Sequence, residues 1–103
     1  MFEWDESKSE ANFLSRGFDF AYASLIFEGL TLEKDDLRAA YGERRIQAVG
    51  RVGEDFLFVV YTWRSGLRRI ISARPASRRE RDGYCQIYGG GSEGQGPSEP
   101  EPA

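Results

Sequence analysis

Apolar and polar residues alternate in two rhythms between Phe2 and Tyr88, and each change of rhythm marks an element. Phe2-Glu3-Trp4-Asp5 alternates apolar with acidic, and Asp5 is placed to cap a helix beginning near Glu6. Gly17 is a natural left-handed end for that helix. Tyr22, Ala23, Ile26 and Phe27 recur at helical spacing and predict a second helix over Phe20–Phe27, broken at Gly29. Leu30-Thr31-Leu32 reads as a short strand before the polar turn 34–42. In Arg45–Val52, Ile46, Ala48 and Gly50 alternate with Arg45, Gln47, Val49 and Arg51, as in a half-buried strand. The continuous run Phe56–Trp63, FLFVVYTW, lies between the turns Gly53-Glu54-Asp55 and Arg64-Ser65-Gly66. It predicts a central strand buried on both faces. Leu67–Ala73 returns as a third long strand, stopped by Pro75, and Ser77 with Glu80 three residues on forms a capping box for a last helix. The expected fold class is α+β: two N-terminal helices, an antiparallel sheet of three to four strands, and a C-terminal helix.

Composition sets the limits of that fold. Of 103 residues, Gly89–Ala103 (GGGSEGQGPSEPEPA) holds no apolar residue larger than alanine, so it is expected to be a disordered tail behind one folded domain over residues 1–88. A domain this small has a single core. Phe2, Trp4, Phe13, Phe18, Phe20, Phe27, Phe56, Phe58 and Tyr61 are its expected contributors. One cysteine, Cys85, gives no internal disulfide, and the absence of histidine removes Cys/His zinc sites. The acidic N-terminus and the short apolar runs predict neither a signal peptide nor a transmembrane span, and hence a cytoplasmic protein.

Charge then adds a functional hint. Residues 1–36 carry three cations against nine carboxylates, a net −6, whereas residues 37–88 carry eleven arginines against five carboxylates, a net +6. Clustered arginine is self-repelling and needs an anionic partner, which nucleic acid supplies. The density peaks in Leu67–Arg81, LRRIISARPASRRER. Strict alternation there puts Arg68, Ile70 and Ser72 on one face and Arg69, Ile71 and Ala73 on the other. Arg78 and Arg81 share a face of the last helix.

Cleaving RNA without a metal needs a base for the 2′-hydroxyl, a proton for the leaving 5′-oxygen and cations for the charged phosphorane. Arginine suits only the last task. Glu43, Lys8, Tyr41, Tyr61 and Glu80 are the candidates for proton transfer. Glu43 stands out, because the arginines of Gly42-Glu43-Arg44-Arg45 favour its ionised form. Tyr61 and Thr62 end the buried strand beside the arginines.

Taken together, several landmarks resemble the BrnT family of bacterial type II toxins. They are Phe2-Glu3-Trp4-Asp5 with Lys8 and Asn12; Gly17 with Phe20; Gly42-Glu43 with Arg45; Val60-Tyr61-Thr62; and Arg69-Ile70-Ile71-Ser72-Ala73-Arg74. Arg78-Arg79-Glu80-Arg81 and Tyr84 continue the match. The resemblance implies a RelE-like fold and a metal-independent endoribonuclease toxin that inhibits translation and needs no cofactor. It further implies a BrnA-like antitoxin with a ribbon-helix-helix domain, an RNA substrate met free or on the ribosome, and DNA contact only through the antitoxin complex. No membrane partner is implied. Carried over by position, Arg69, Arg74, Glu43 and Lys8 are the catalytic candidates, with Arg69 and Arg74 on the phosphate. Arg45, Arg68, Arg78 and Tyr61 are the RNA-binding candidates. Family members often read Asn-x-x-Lys-His-Gly where this chain has Asn12-Phe13-Leu14-Ser15-Arg16-Gly17. They also often carry histidine after Asp-x-Arg, where Asp36-Leu37-Arg38 is followed by Ala39. The alternative is therefore a catalytically degenerate toxin homologue that acts as an antitoxin-binding regulatory module.

Overall fold

A computed structural model describes residues 1–89, so the tail expected from residue 89 onward lies, apart from Gly89, outside the described residues. The helix predicted after Asp5 forms as α1 (Glu6–Arg16). The Asp5 carboxylate accepts the backbone N–H groups of Ser7 and Lys8, and Gly17 closes the helix at φ +87°. Asp19 caps α2 (Phe20–Ser24) by accepting the Tyr22 N–H. The single helix expected over Phe20–Phe27 instead tightens after Ser24 into a 3₁₀ turn, Leu25–Glu28. The tighter winding accompanies a close approach: Ile26 is fully buried against Gly50, where an added Cβ would lie 2.6 Å from the Ile26 Cβ.

The sheet comprises β1 (Phe2–Trp4), β2 (Leu32–Asp35), β3 (Ile46–Val52), β4 (Asp55–Arg64) and β5 (Leu67–Pro75), in the order β1-β5-β4-β3-β2. The α+β class stands, but the antiparallel sheet of three to four strands becomes a mixed sheet of five. Phe2–Trp4 adds to β5 in parallel, pairing Glu3 with Arg69. Three residues carry too little periodicity to announce a strand, and a parallel pairing joins distant parts of the chain. The short strand expected at 30–32 begins at Leu32 instead and runs into charged residues. An edge strand tolerates Glu33, Lys34 and Asp35. The Leu30 and Thr31 carbonyls meanwhile accept the hydroxyls of Tyr84 and Tyr88.

Central β4 is covered on both faces, as its apolar run predicts. On one side Leu57, Val59 and Tyr61 pack with Ile46, Ala48, Ile70 and Ala73 beneath Phe20, Ala23 and Ile26. On the other, Phe58 and Val60 pack with Val49 and with Tyr84 of α3 (Arg78–Tyr88). The capping box that starts α3 is present: the Ser77 hydroxyl accepts the Glu80 N–H, and the Glu80 carboxylate accepts the Ser77 N–H.

Two further expectations are corrected. Phe13 is 55 % exposed rather than in the core, because α1 turns Ser9 and Asn12 inward. The Ser9 hydroxyl accepts the Phe20 N–H, and the Asn12 amide donates to the Phe18 carbonyl. Strict alternation also fails in β5. Val60 pairs with Ser72 but Tyr61 with Ile70, so Ile71 is an extra, bulged residue. The bulge returns Ala73 to the face of Ile70. It also puts Arg74, opposite Phe58, on the face of Arg69, opposite Thr62. No helix among the described residues is long and apolar enough to cross a membrane.

Candidate active site

The β4–β5 hairpin builds the site. Its two turn residues, Ser65 (φ 54°) and Gly66 (φ 80°), both take positive φ, the geometry that matches the strand twist in a two-residue turn. That turn sets Arg64 opposite Leu67, Trp63 opposite Arg68 and Thr62 opposite Arg69. On the face shared with α3, Glu3, Arg69 and Thr62 form a row across β1, β5 and β4. The segment before β3 extends the row, held where the Thr62 hydroxyl donates to the Arg44 carbonyl at 2.6 Å.

Three guanidiniums meet two carboxylates here. Arg45 donates to Glu43 at 3.0 Å and lies 4.1 Å from the centre of the Tyr41 ring. Arg64 reaches the same carboxylate at 3.9 Å, and Arg69 lies 3.5 Å from Glu3. Arg44 is separately neutralised by Asp35 at 2.7 Å. The cluster is thus net positive and half-exposed, with Glu43 between two arginines as its sequence setting suggests.

The opposite face at the same end of the sheet carries Arg68 and Tyr61. The Arg68 guanidinium lies 4.4, 5.2 and 4.7 Å from the ring centres of Phe27, Tyr61 and Trp63. The Tyr61 hydroxyl donates to Glu33 at 2.7 Å, and burial together with that carboxylate pushes its pKa up. Tyr61 is therefore a neutral donor near pH 7.

Not every candidate converges on this end. Arg74 shares a face with Arg69, but their β4 partners are four residues apart, about 13 Å at the rise of a strand. Its guanidinium is bidentate to Glu80 at 2.9 and 2.8 Å, bonds the Pro75 carbonyl at 3.1 Å and lies 3.9 Å from the Phe58 ring centre. Burial opposes ionisation of Glu80, but the Arg74 and Ser77 hydrogen bonds outweigh it and hold its pKa below the ordinary value. Arg78 is exposed in the first turn of α3, near Arg74 rather than Arg69. Lys8 is exposed in the first turn of α1, beside Asp5.

The sequence reading passed over Trp63, Arg64 and the Glu3–Arg69 pair as site members. Arg64 was legible from its period-2 spacing to Thr62, and Trp63 from a two-residue turn that sets it against Arg68. The Glu3 pairing had no local signal. A further carboxylate, Asp36, is fully buried at its side chain and grips Arg38 at 2.7 and 2.8 Å, with Gln47 donating at 3.1 Å. The Arg38 bonds, with Gln47 assisting and burial opposing, hold its pKa far below the carboxylate range. Arg38 lies 5.7 Å from the Phe58 ring, near which Arg74 also sits.

Among the described residues, no group of three or more His, Cys, Asp or Glu side chains is placed to hold a metal ion. The arrangement offers instead an arginine cluster with an embedded carboxylate, suited to holding a phosphodiester and drawing a proton from a nearby hydroxyl. No curated protein matches the chain. One family model does, over residues 4–80, and it describes the ribonuclease toxin BrnT of a type II toxin-antitoxin system. That span takes in β2 to β5, Glu43 with its arginines, Arg69 and the Arg74–Glu80 pair, and the chain therefore belongs to the BrnT family of ribonuclease toxins.

Proposed function

We propose that this chain is a metal-independent endoribonuclease with a RelE-like fold that cuts RNA in the cytoplasm and so inhibits translation. Membership of a type II toxin-antitoxin family implies an antitoxin partner; we assign to it a BrnA-like protein with a ribbon-helix-helix domain, through which alone the complex meets DNA. The observation that carries the reading is the cluster at one half-exposed sheet end, with Arg45 and Arg64 on Glu43 and Arg69 on Glu3 in the adjoining row. Arg69 and Arg45 hold the scissile phosphate. Glu43 takes the 2′-hydroxyl proton, and the freed oxygen attacks phosphorus. The bond to the 5′-oxygen breaks, that oxygen takes a proton from solvent, and the products are a 2′,3′-cyclic phosphate and a 5′-hydroxyl. The arginines offset the charge that builds on the phosphorane. Lys8 and Arg68 neutralise the flanking strand, and Arg74 and Arg78 meet RNA farther along.

Purified chain mixed with RNA, with and without ribosomes, tests this. Cleavage that persists in chelator, maps to 5′-hydroxyl ends and falls about 100-fold in Arg69→Ala is the expected result. Cleavage abolished by chelator overturns the metal-independent mechanism. The absence of histidine, the side chain best poised for proton transfer near neutral pH, favours a second reading: a lapsed toxin that retains only antitoxin binding. Intact RNA beside a tight antitoxin complex would establish it.

A further inference from the structure

Trp63 is half-exposed, at 51 %, at the end of a strand whose residues Leu57–Thr62 are all buried. A single exposed aromatic residue is unremarkable. This one is set apart by its surroundings. Across the hairpin, the Arg68 guanidinium lies 4.7 Å from the indole centre, and Tyr61 meets the ring edge-on at 5.8 Å and 83°, so the indole is held in place. Among the described residues Arg68 has no carboxylate partner, and its buried Nε has no hydrogen-bond acceptor. Its charge is met by three ring faces and the Tyr61 hydroxyl rather than by a carboxylate, which leaves it able to take an anion from outside. Arg64, the next residue, and Arg69, which follows the cross-strand partner, lie on the opposite face at the same sheet end, so a strand that rounds the hairpin meets cations on both faces. A fixed aromatic face backed by an arginine, at a sheet end rich in cations, is the recurring platform for a base of single-stranded nucleic acid.

We propose that Trp63, backed by Arg68, stacks one base of an RNA strand that rounds the hairpin end from the face holding the scissile phosphate, and so sets base preference at a flanking nucleotide. The inference rests on the reading of this sheet end as an RNA site. It commits to RNA rather than to the antitoxin because Arg68, which has no carboxylate partner among the described residues, and the net-positive cluster on the other face of the same sheet end complement a polyanion. Purines, with the larger π surface, are the preferred occupants.

The test uses the full chain with labelled, uncleavable 2′-O-methyl octamers of adenosine and of uridine, followed by fluorescence anisotropy. End-mapping of a cleaved transcript and an antitoxin affinity measurement run in parallel. Wild type is expected to favour the adenosine octamer. Trp63→Ala is expected to weaken its binding on the order of 10- to 100-fold and to erase the preference, while Trp63→Phe keeps most of both. Antitoxin affinity stays unchanged, and a matched melting curve shows that the variants fold. Unaltered octamer binding and an unaltered cleavage pattern in Trp63→Ala overturn the proposal. So does lost antitoxin affinity with RNA binding intact, which would make Trp63 an antitoxin anchor. Trp63-dependent octamer binding by a wild type that cuts no RNA supports the platform and overturns the nuclease reading instead. A wild type that binds neither octamer overturns both.

Discussion

Removing the Arg74 guanidinium separates two roles that sequence alone merges, one on RNA and one inside the fold. In Arg74→Ala the bidentate pair with Glu80 is lost. Arg74 and Glu80 side chains are 35 % and 23 % exposed, so solvent screening limits the pair to about 1 kcal/mol. The contact with Phe58 at 3.9 Å adds about 0.5–1 kcal/mol. Packing of the arginine stem brings the expected cost to about 2 kcal/mol. For a domain of this size that is a fall in Tm of about 8–16 °C. Glu80→Gln, which can still accept the Ser77 N–H, is expected to cost about 1 kcal/mol. The double variant should fall short of the sum by about 1 kcal/mol, the coupling of the pair. Urea unfolding monitored by tryptophan fluorescence measures all three. The sign of the pH dependence follows from Glu80. Its folded pKa is depressed, so the contribution of the pair is present above the unfolded value of about 4.3 and is lost as pH falls through the lower folded value. The gap between wild type and Arg74→Ala should therefore close in acid. Arg69→Ala, which gives up only a 3.5 Å contact with Glu3, should melt within about 1 kcal/mol of wild type while losing cleavage. Additive single variants, or an Arg74→Ala protein that melts like wild type, would refute the assignment of Arg74 to the anchoring of α3.

Three further outcomes follow from local surroundings. Gly50→Ala sets a Cβ 2.6 Å from the Ile26 Cβ, which is tied to the backbone and cannot swing aside, so thermal melting should show a loss of about 1–3 kcal/mol. The same change at Gly83, inside α3 with only a Leu32 methyl at 3.9 Å, should stabilise by about 0.5–1 kcal/mol. Asp36→Asn weakens the grip on Arg38 and Gln47 and should cost about 2 kcal/mol at pH 7, discounted because Arg38 is 56 % exposed. The folded pKa of Asp36 is depressed, so that loss should be full above about pH 4 and shrink as pH falls below it. A pH-independent difference in unfolding free energy would contradict the buried, ionised Asp36.

Much of this protein is written locally in its chain. Asp5, Gly17 and Asp19 bound their helices because each satisfies backbone groups within a few residues. The capping box of Ser77 and Glu80 is equally local. FLFVVYTW announces a strand buried on both faces, and the carboxylate among arginines at Glu43 is legible from four consecutive residues. The tertiary structure decided the rest. Phe2–Trp4 becomes a strand only because β5 offers it a free edge, and Glu3 meets Arg69 only through that pairing. Phe13 stays outside because Ser9 and Asn12 are needed inward to hold the start of α2. The Ile71 bulge carries Arg74 onto the face of Arg69, and Glu80 then holds it some 13 Å away along the sheet. Caps, turns and periodicity act over a few residues and so survive in the sequence. Strand partners, bulges and ion pairs depend on which distant segments share the core, and only packing of the whole chain settles them.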